Sequence, residues 1–361
     1  MRLYKTFYFL SLLSALVILL LLLTGYKSQT GPAVIFLFIA LAIAFQGNKG
    51  LKGFSYTMVV LASVAAALFY PALFTKWGSF NLSILIVPLI QLIMFGMGTS
   101  MSFNDFVGIV KSPTGVIIGV LSHFIVMPLL GFLLAHFSGF PPEIAAGIVL
   151  IGCSPNGMAS NVISYLARAN VALSITITAI STSLSPFLTP LLMKLLAGQL
   201  IEINVWHMMM EILKMVILPI AAGLLFNHFF KGKVRWLDKA MPYVSMFGIA
   251  FSIVVIAAAG RDNLLSIGGL LILLVLIHNL TGYFLGYWSA RLFKMRERDC
   301  RTIAIEVGMQ NGGLATGIAQ SLGKLATLGL APGVFGPLMN VTGSILASWW
   351  HDKKPKDENE S

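Results

Sequence analysis

Ile151 to Leu166 reads IGCSPNGMASNVISYL, and Ile305 to Ala319 reads IEVGMQNGGLATGIA. Both are apolar stretches broken near their middle, the first by Pro155-Asn156-Gly157 and the second by Gln310-Asn311-Gly312-Gly313. Pro removes a backbone donor and Gly weakens helix, so each cluster predicts an unwound turn between two half-helices. In hydrocarbon such a break is tolerated only where its free N–H and C=O groups are buried in protein or line a wet cavity.

The surroundings of the two stretches are membrane-like. Hydrophobic residues make up 57% of 361 and charged residues 10%, and the mean hydropathy is +0.89. That leaves too little polar surface to coat a soluble globule. Crossing a bilayer takes about 20 apolar residues, and twelve runs answer that description: 6–24, 32–46, 54–75, 82–101, 113–136, 143–167, 170–196, 206–229, 241–260, 264–293, 299–322 and 326–350, of which 32–46 is the shortest. The first run is too long and Leu-rich for a cleavable signal peptide, and Gly25-Tyr26-Lys27 is a poor cleavage site. It is read as a helix of the protein.

If the spans alternate, 18 of the 24 basic residues fall on one side: Arg2, Lys5, Lys49, Lys52, Lys111, Arg168, the Lys231 to Lys239 group, the Arg291 to Arg301 group, and Lys353, Lys354 and Lys356. The positive-inside rule then places both termini in the cytoplasm of a cell (inner) membrane. The net charge of +11 is thus topological, spread over short loops, and does not indicate nucleic-acid binding. The tail 351–361 is polar and expected to be disordered. Cys153 and Cys300 form neither a disulfide framework nor a metal-spaced cluster.

The two halves share a spacing. His123, Gly131, Phe132, Asn156 and Gly157 recur as His278, Gly286, Tyr287, Asn311 and Gly312, with identical intervals. Met94-Phe95-Gly96 and Met246-Phe247-Gly248 correspond upstream. Each half holds five spans, and an odd number turns the second copy upside down in the membrane. The expected division is an N-terminal two-helix extension at 1–52, repeats at 53–197 and 198–350, and the tail at 351–361. Inverted repeats with broken helices at matched positions point to a secondary transporter's midplane binding site.

Chemistry concentrates there. Of 13 acidic residues, Glu306 alone lies well inside a span, and a buried carboxylate is a functional group by default. Ser160 and Asn161 follow the first break, and Ser174 and Thr178 lie at i,i+4 on the next helix. Together with the Glu306 carboxylate they make an all-oxygen set suited to Na+. The half-helices that begin after each break point positive dipole ends at it, which suits an anion near Asn156, Gly157, Met158, Asn311 and Gly312. His278 and the aromatic run Tyr283 to Trp288 are further candidates for lining a substrate cavity, against the plainer reading of helix packing and interfacial anchoring.

The stretch CSPNGMASNVISYLARANVALSITITAISTSLSPFLTPLL and the later EVGMQNGGLATGIA resemble the bile acid:sodium symporter family, with similarity over roughly residues 53 to 350. The resemblance implies an all-α polytopic membrane protein of two inverted five-helix repeats, with crossing broken helices and a core and a panel domain, here preceded by two N-terminal helices. It also implies two sodium sites. The first would use Ser160, Asn161, Ser174, Thr178 and Glu306. The second would use Gln310, the carbonyls of Glu306, Val307 and Met309, and position 123, where the family pattern has Gln and this chain has His123. Asn156 and Met158 likewise depart from the family's Pro-Gly-Gly-Thr.

The expected function is sodium-coupled symport of small organic anions, bile-acid-like or pantothenate-like monocarboxylates, by alternating access. Na+ is the coupling ion, and the partners are the anion and the bilayer, with no organic cofactor, nucleic acid or protein partner inferred. A cation/proton antiporter is the alternative, although such antiporters more often use buried Asp. An enzyme is not expected, because neither a nucleophile–base pair nor a His-Glu-x-x-His motif is present.

Overall fold

The computed structural model describes residues 2–48, 51, 54–102, 113–230, 235–353 and 355. Lys49, Lys52, Lys111, Lys231, Lys233, Lys354, Lys356 and the tail beyond 355 lie outside them. The chain is almost wholly helical: α1 Arg2–Leu23, α2 Gly31–Phe45, α3 Ser55–Phe69, α4 Ala72–Thr75, α5 Ile86–Ser100, α6 Pro113–Phe137, α7 Pro142–Cys153, α8 Ala159–Leu166, α9 Val171–Ala197, α10 Val205–Ile212, α11 Leu218–Phe230, α12 Arg235–Ala259, α13 Arg261–Leu292, α14 Glu297–Gly308, α15 Gly312–Ser321 and α16 Leu330–His351.

Among the described residues, seven helical stretches are individually long and apolar enough to cross a membrane, judged by length and composition. The difference from the twelve expected spans has local causes. The run at 143–167 divides into α7 and α8, and the run at 299–322 into α14 and α15, each half too short to span alone. The runs at 32–46, 54–75 and 241–260 contain shorter apolar helices, Gly31–Phe45, Ser55–Phe69 and Tyr243–Ala259. Within 54–75, Pro71 keeps Tyr70 out of helix (φ −128°, ψ 57°) and ends α3 early. A two-residue hairpin, Lys76–Trp77 against Phe80–Asn81, follows. Between α10 and α11 the turn widens into a π-helix at Leu213–Ile217, just before Pro219, which has no N–H to offer the preceding turn.

Two packing groups emerge. In one, α5 lies against α11 and α12, and α12 against α3; α2 then packs on α3, and α1 on α2. In the other, α6 contacts α7, α9, α13 and α14, while α13 runs along α14 and α16. Of the broken-helix halves, α7, α8 and α14 belong to the second group, while α15 packs both on α16 and on α5 of the first. Burial follows: every residue from Ile144 to Gly157 and from Cys300 to Asn311 is buried. That packing positions the breaks.

Candidate functional site

Each break is built by its own sequence. Pro155 holds Ser154 extended (φ −77°, ψ 152°), which stops α7 at Cys153. Met309 is extended (φ −103°, ψ 118°) after Gly308, and Asn311 restarts the chain as the N-cap of α15, its Oδ1 accepting from Leu314 N at 3.0 Å. The two unwound segments then pair with one another. Asn156 and Gln310 form an antiparallel bridge. Asn311 N–H donates to the Pro155 carbonyl at 2.7 Å, and Gly157 N–H to the Met309 carbonyl at 3.4 Å. A Cβ at position 157 would stand 2.6 Å from the Gln310 carbonyl oxygen, so only glycine permits this approach. The helix-breaking residues in two oily segments are there because each break satisfies the other's backbone.

Glu306, fully buried one turn before the second break, reaches α9. Its Oε1 lies 2.5 Å from Ser174 Oγ and its Oε2 2.9 Å from Thr178 Oγ1. Ser174 Oγ is also 2.8 Å from Asn161 Oδ1, Thr178 Oγ1 is 3.4 Å from the same atom, and Ser160 Oγ is 3.4 Å from Thr178 Oγ1. All five residues expected at the first cation site are therefore brought together.

Counting protons shows what the cluster lacks. Ser160 spends its hydroxyl hydrogen on the Gly157 carbonyl. Ser174 and Thr178 then have one hydrogen each for three acceptor oxygens, two on Glu306 and one on Asn161. Among the described residues no basic side chain forms an ion pair with Glu306. A buried carboxylate in an oxygen cluster short of donors fits a small hard cation, which supplies charge without needing a proton.

A second polar cluster surrounds His123, also fully buried. Its Nε2 lies 2.8 Å from the Ser154 carbonyl and its Nδ1 3.1 Å from that of Glu306. Asn156 Nδ2 donates to the Glu306 carbonyl and lies 3.1 Å from His123 Nδ1. Gln310 Nε2 donates to Val307 O at 2.8 Å, whereas Gln310 Oε1 and Asn156 Oδ1 have no hydrogen-bond partner. Two unpaired buried amide oxygens on residues paired across the breaks also fit a cation. His123 itself offers no oxygen, and the carbonyls of Glu306, Val307 and Met309 already accept hydrogen bonds from protein donors.

Three expected substrate contacts have other work in this conformation. Asn156 turns its amide N–H inward to Glu306 and His123, because the bridge to Gln310 carries that side chain into the core. Asn311 commits its oxygen to capping, leaving only its NH2 group free to face a ligand. His278 is fully buried, with Nε2 2.9 Å from the Met127 carbonyl and its ring edge-on to Phe335 at 5.7 Å, so it packs helices and lines no open cavity. Met158, Ala159, Asn161, Gly312 and Gly313 are the partly exposed positions at the crossing.

Sequence reasoning missed Asn279. Its Nδ2 donates to the Gly308 carbonyl at 2.9 Å, and its Oδ1 accepts from Thr342 Oγ1 at 2.5 Å, tying the end of α14 to α13 and α16. The available signal was an amide beside His278 in the middle of the apolar run 264–293.

An all-helical, polytopic membrane protein with two half-helix pairs meeting around a carboxylate–hydroxyl cluster is built as an ion-coupled transporter. Residues 87–267 match the sodium bile acid symporter family. The chain is 39% identical over 307 residues to the uncharacterized sodium-dependent transporter YocS of Bacillus subtilis, covering 85% of this chain and 94% of that one. It is 34% identical over 264 residues to the probable chloroplastic sodium/metabolite cotransporter BASS1 of Arabidopsis thaliana, covering 73% of this chain and 66% of that one. Against the probable chloroplastic sodium/metabolite cotransporter BASS3 of Oryza sativa subsp. japonica the figures are 35% over 297 residues, 81% and 69%. The chain belongs to the sodium bile acid symporter family. It is an integral membrane transporter rather than an enzyme, and sodium is its coupling ion.

Proposed function

We propose that the chain is a symporter that moves a small organic anion, a bile-acid-like or pantothenate-like monocarboxylate, together with sodium by alternating access. One observation carries the reading: the buried Glu306 carboxylate sits in a donor-poor oxygen cluster with Ser174, Thr178 and Asn161, directly beside paired helix breaks. The coupling follows from that adjacency. Sodium held by residues on α8, α9 and α14 favours one arrangement of the crossing, the anion binds that arrangement better, and each ligand raises the other's affinity. The anion meets the N-terminal ends of α8 and α15, whose dipoles favour negative charge.

The matched spacing of His123 and His278 with the two Asn-Gly pairs supports two inverted repeats, at 53–197 and 198–350. The distribution of Lys and Arg supports cytoplasmic termini in a cell membrane. Two plant relatives carry the words sodium/metabolite cotransporter in their names, which agrees with a small-molecule cargo. The test is thermal unfolding of the purified protein over a panel of carboxylates, in NaCl and in choline chloride at equal ionic strength. The expected result is a carboxylate whose stabilisation needs sodium. Sodium-for-proton exchange in liposomes that no carboxylate alters would favour the antiporter reading.

A further inference from the structure

On the outer side of α6, away from His123, lies an open apolar groove of about 540 Å³ lined by Thr114, Ile117, Leu121, Ser122, Ile125 and, from the end of α13, Phe293. We propose that this groove and the basic turn at its mouth bind one anionic phospholipid, with an acyl chain along α6 and the phosphate at Lys294 and Arg296.

Three observations converge. The first is size. A volume of about 540 Å³ compares with the roughly 30 Å³ of a liquid water, and the lining from Thr114 to Val126 covers about 18 Å of helix. That is close to one leaflet of a hydrocarbon core about 30 Å thick. The second is chemistry. Ile117, Leu121 and Ile125 are more than half exposed and stack at four-residue intervals, while Ser122 and Ser289 bond across the α6–α13 seam at 3.0 Å, so the groove floor is closed and offers a chain mainly alkyl contact.

The third is charge. Phe293 is followed by Lys294 and Arg296, both exposed. The turn that carries them is ordered by Lys294 N–H to the Arg291 carbonyl at 2.9 Å and Met295 N–H to the Ala290 carbonyl at 3.2 Å. Arg291, by contrast, is partly engaged by Glu297 at 3.8 Å and by the Tyr287 ring. Basic groups at the polar end of a leaflet-deep groove select an anionic headgroup over a neutral one.

The experiment is native mass spectrometry of the full chain in a neutral detergent, with phosphatidylglycerol and phosphatidylcholine of equal chain length added at equal concentration. Phosphatidylglycerol should be retained at least about five-fold over phosphatidylcholine, and glycerol phosphate should not displace it. Lys294→Gln with Arg296→Gln should remove the preference. Leu121→Trp, which fills the groove from an already lipid-facing position, should reduce retention itself. Equal retention of the two lipids by the unaltered chain would overturn the proposal. So would displacement by glycerol phosphate, a preference that survives the Gln pair, or full retention by the Trp variant.

Discussion

At the scale of single residues, charge and donor count decide what the site can hold. Glu306→Gln keeps the size of the side chain but replaces an acceptor oxygen with a donor and removes the charge. The expected outcome is a folded protein whose melting temperature no longer rises with NaCl. For scale, a ligand at a hundred-fold excess over its Kd stabilises by about 2.7 kcal/mol, and that increment should vanish. An unchanged sodium response would remove Glu306 from the site. At position 123 the change runs the other way, because Gln supplies the oxygen that imidazole lacks. His123→Gln should tighten sodium binding and raise the sodium Hill coefficient toward two, measured by uptake or by sodium titration of stability. Equal Hill coefficients in both proteins would show that Gln310 and Asn156 alone settle the second cluster. Glu306 was legible in the sequence because a lone acid in an apolar span has few other uses; Ser174 and Thr178 were legible only together with it, since hydroxyls on such a helix usually bond their own backbone, as Thr176, Ser181, Ser183 and Ser185 do. The direction in which the Asn156 amide faces was not, since it depends on a partner some 150 residues away.

Among the elements, the paired breaks behave as one unit. Their position was readable because Pro, Gly and Asn punctuate a helix whatever surrounds them. That each break caps the other was not, because no local signal says which distant backbone will answer a free carbonyl. The early end of α3 at Pro71 and the π-turn before Pro219 have local causes in those prolines, which a hydropathy average does not register. Gly157→Ala tests the pairing directly. The added methyl would meet the Gln310 carbonyl at 2.6 Å, and neither backbone can yield without parting the bridge. A loss of about 1–3 kcal/mol is expected, together with weaker sodium-dependent stabilisation. A variant with normal stability and sodium response would mean that the breaks are not held in register by this contact. Asn311→Ala should cost about 1 kcal/mol through loss of the α15 cap and should weaken carboxylate binding more than sodium binding. Equal loss of both would reduce Asn311 to a support.

Across the whole molecule, the broken helices are fastened at both ends as well as at their crossing. At one end the first turn of α7 meets the loop after α15, where Glu143 pairs with Lys324 and accepts from Thr327 Oγ1 at 2.6 Å. At the other end the first turn of α14 meets the loop after α8: Asp299 Oδ1 accepts from Asn170 Nδ2 at 2.7 Å, and Thr302 Oγ1 from Asn170 N–H at 2.8 Å. Arg301 completes the second fastening. It is 3% exposed and bonds the carbonyls of Ala167, Trp350 and Lys353 at 2.9–3.1 Å, as well as Glu297 at 3.1 Å. One guanidinium thus joins the ends of α8 and α16 to the start of α14, a set of directions that a lysine ammonium on a flexible stem cannot reproduce. Arg301→Lys should therefore lower the melting temperature, by a few degrees or more if two or three of these bonds are lost. It should nonetheless leave the sodium-dependent increment in place, because Glu306 lies five residues further along α14, about 7.5 Å of helix rise away. Thermal unfolding with and without sodium separates the two quantities. If the sodium increment disappears along with the stability, the ends of the broken helices and the oxygen cluster belong to one cooperative unit, and the fastening at Arg301 sets the cation site itself.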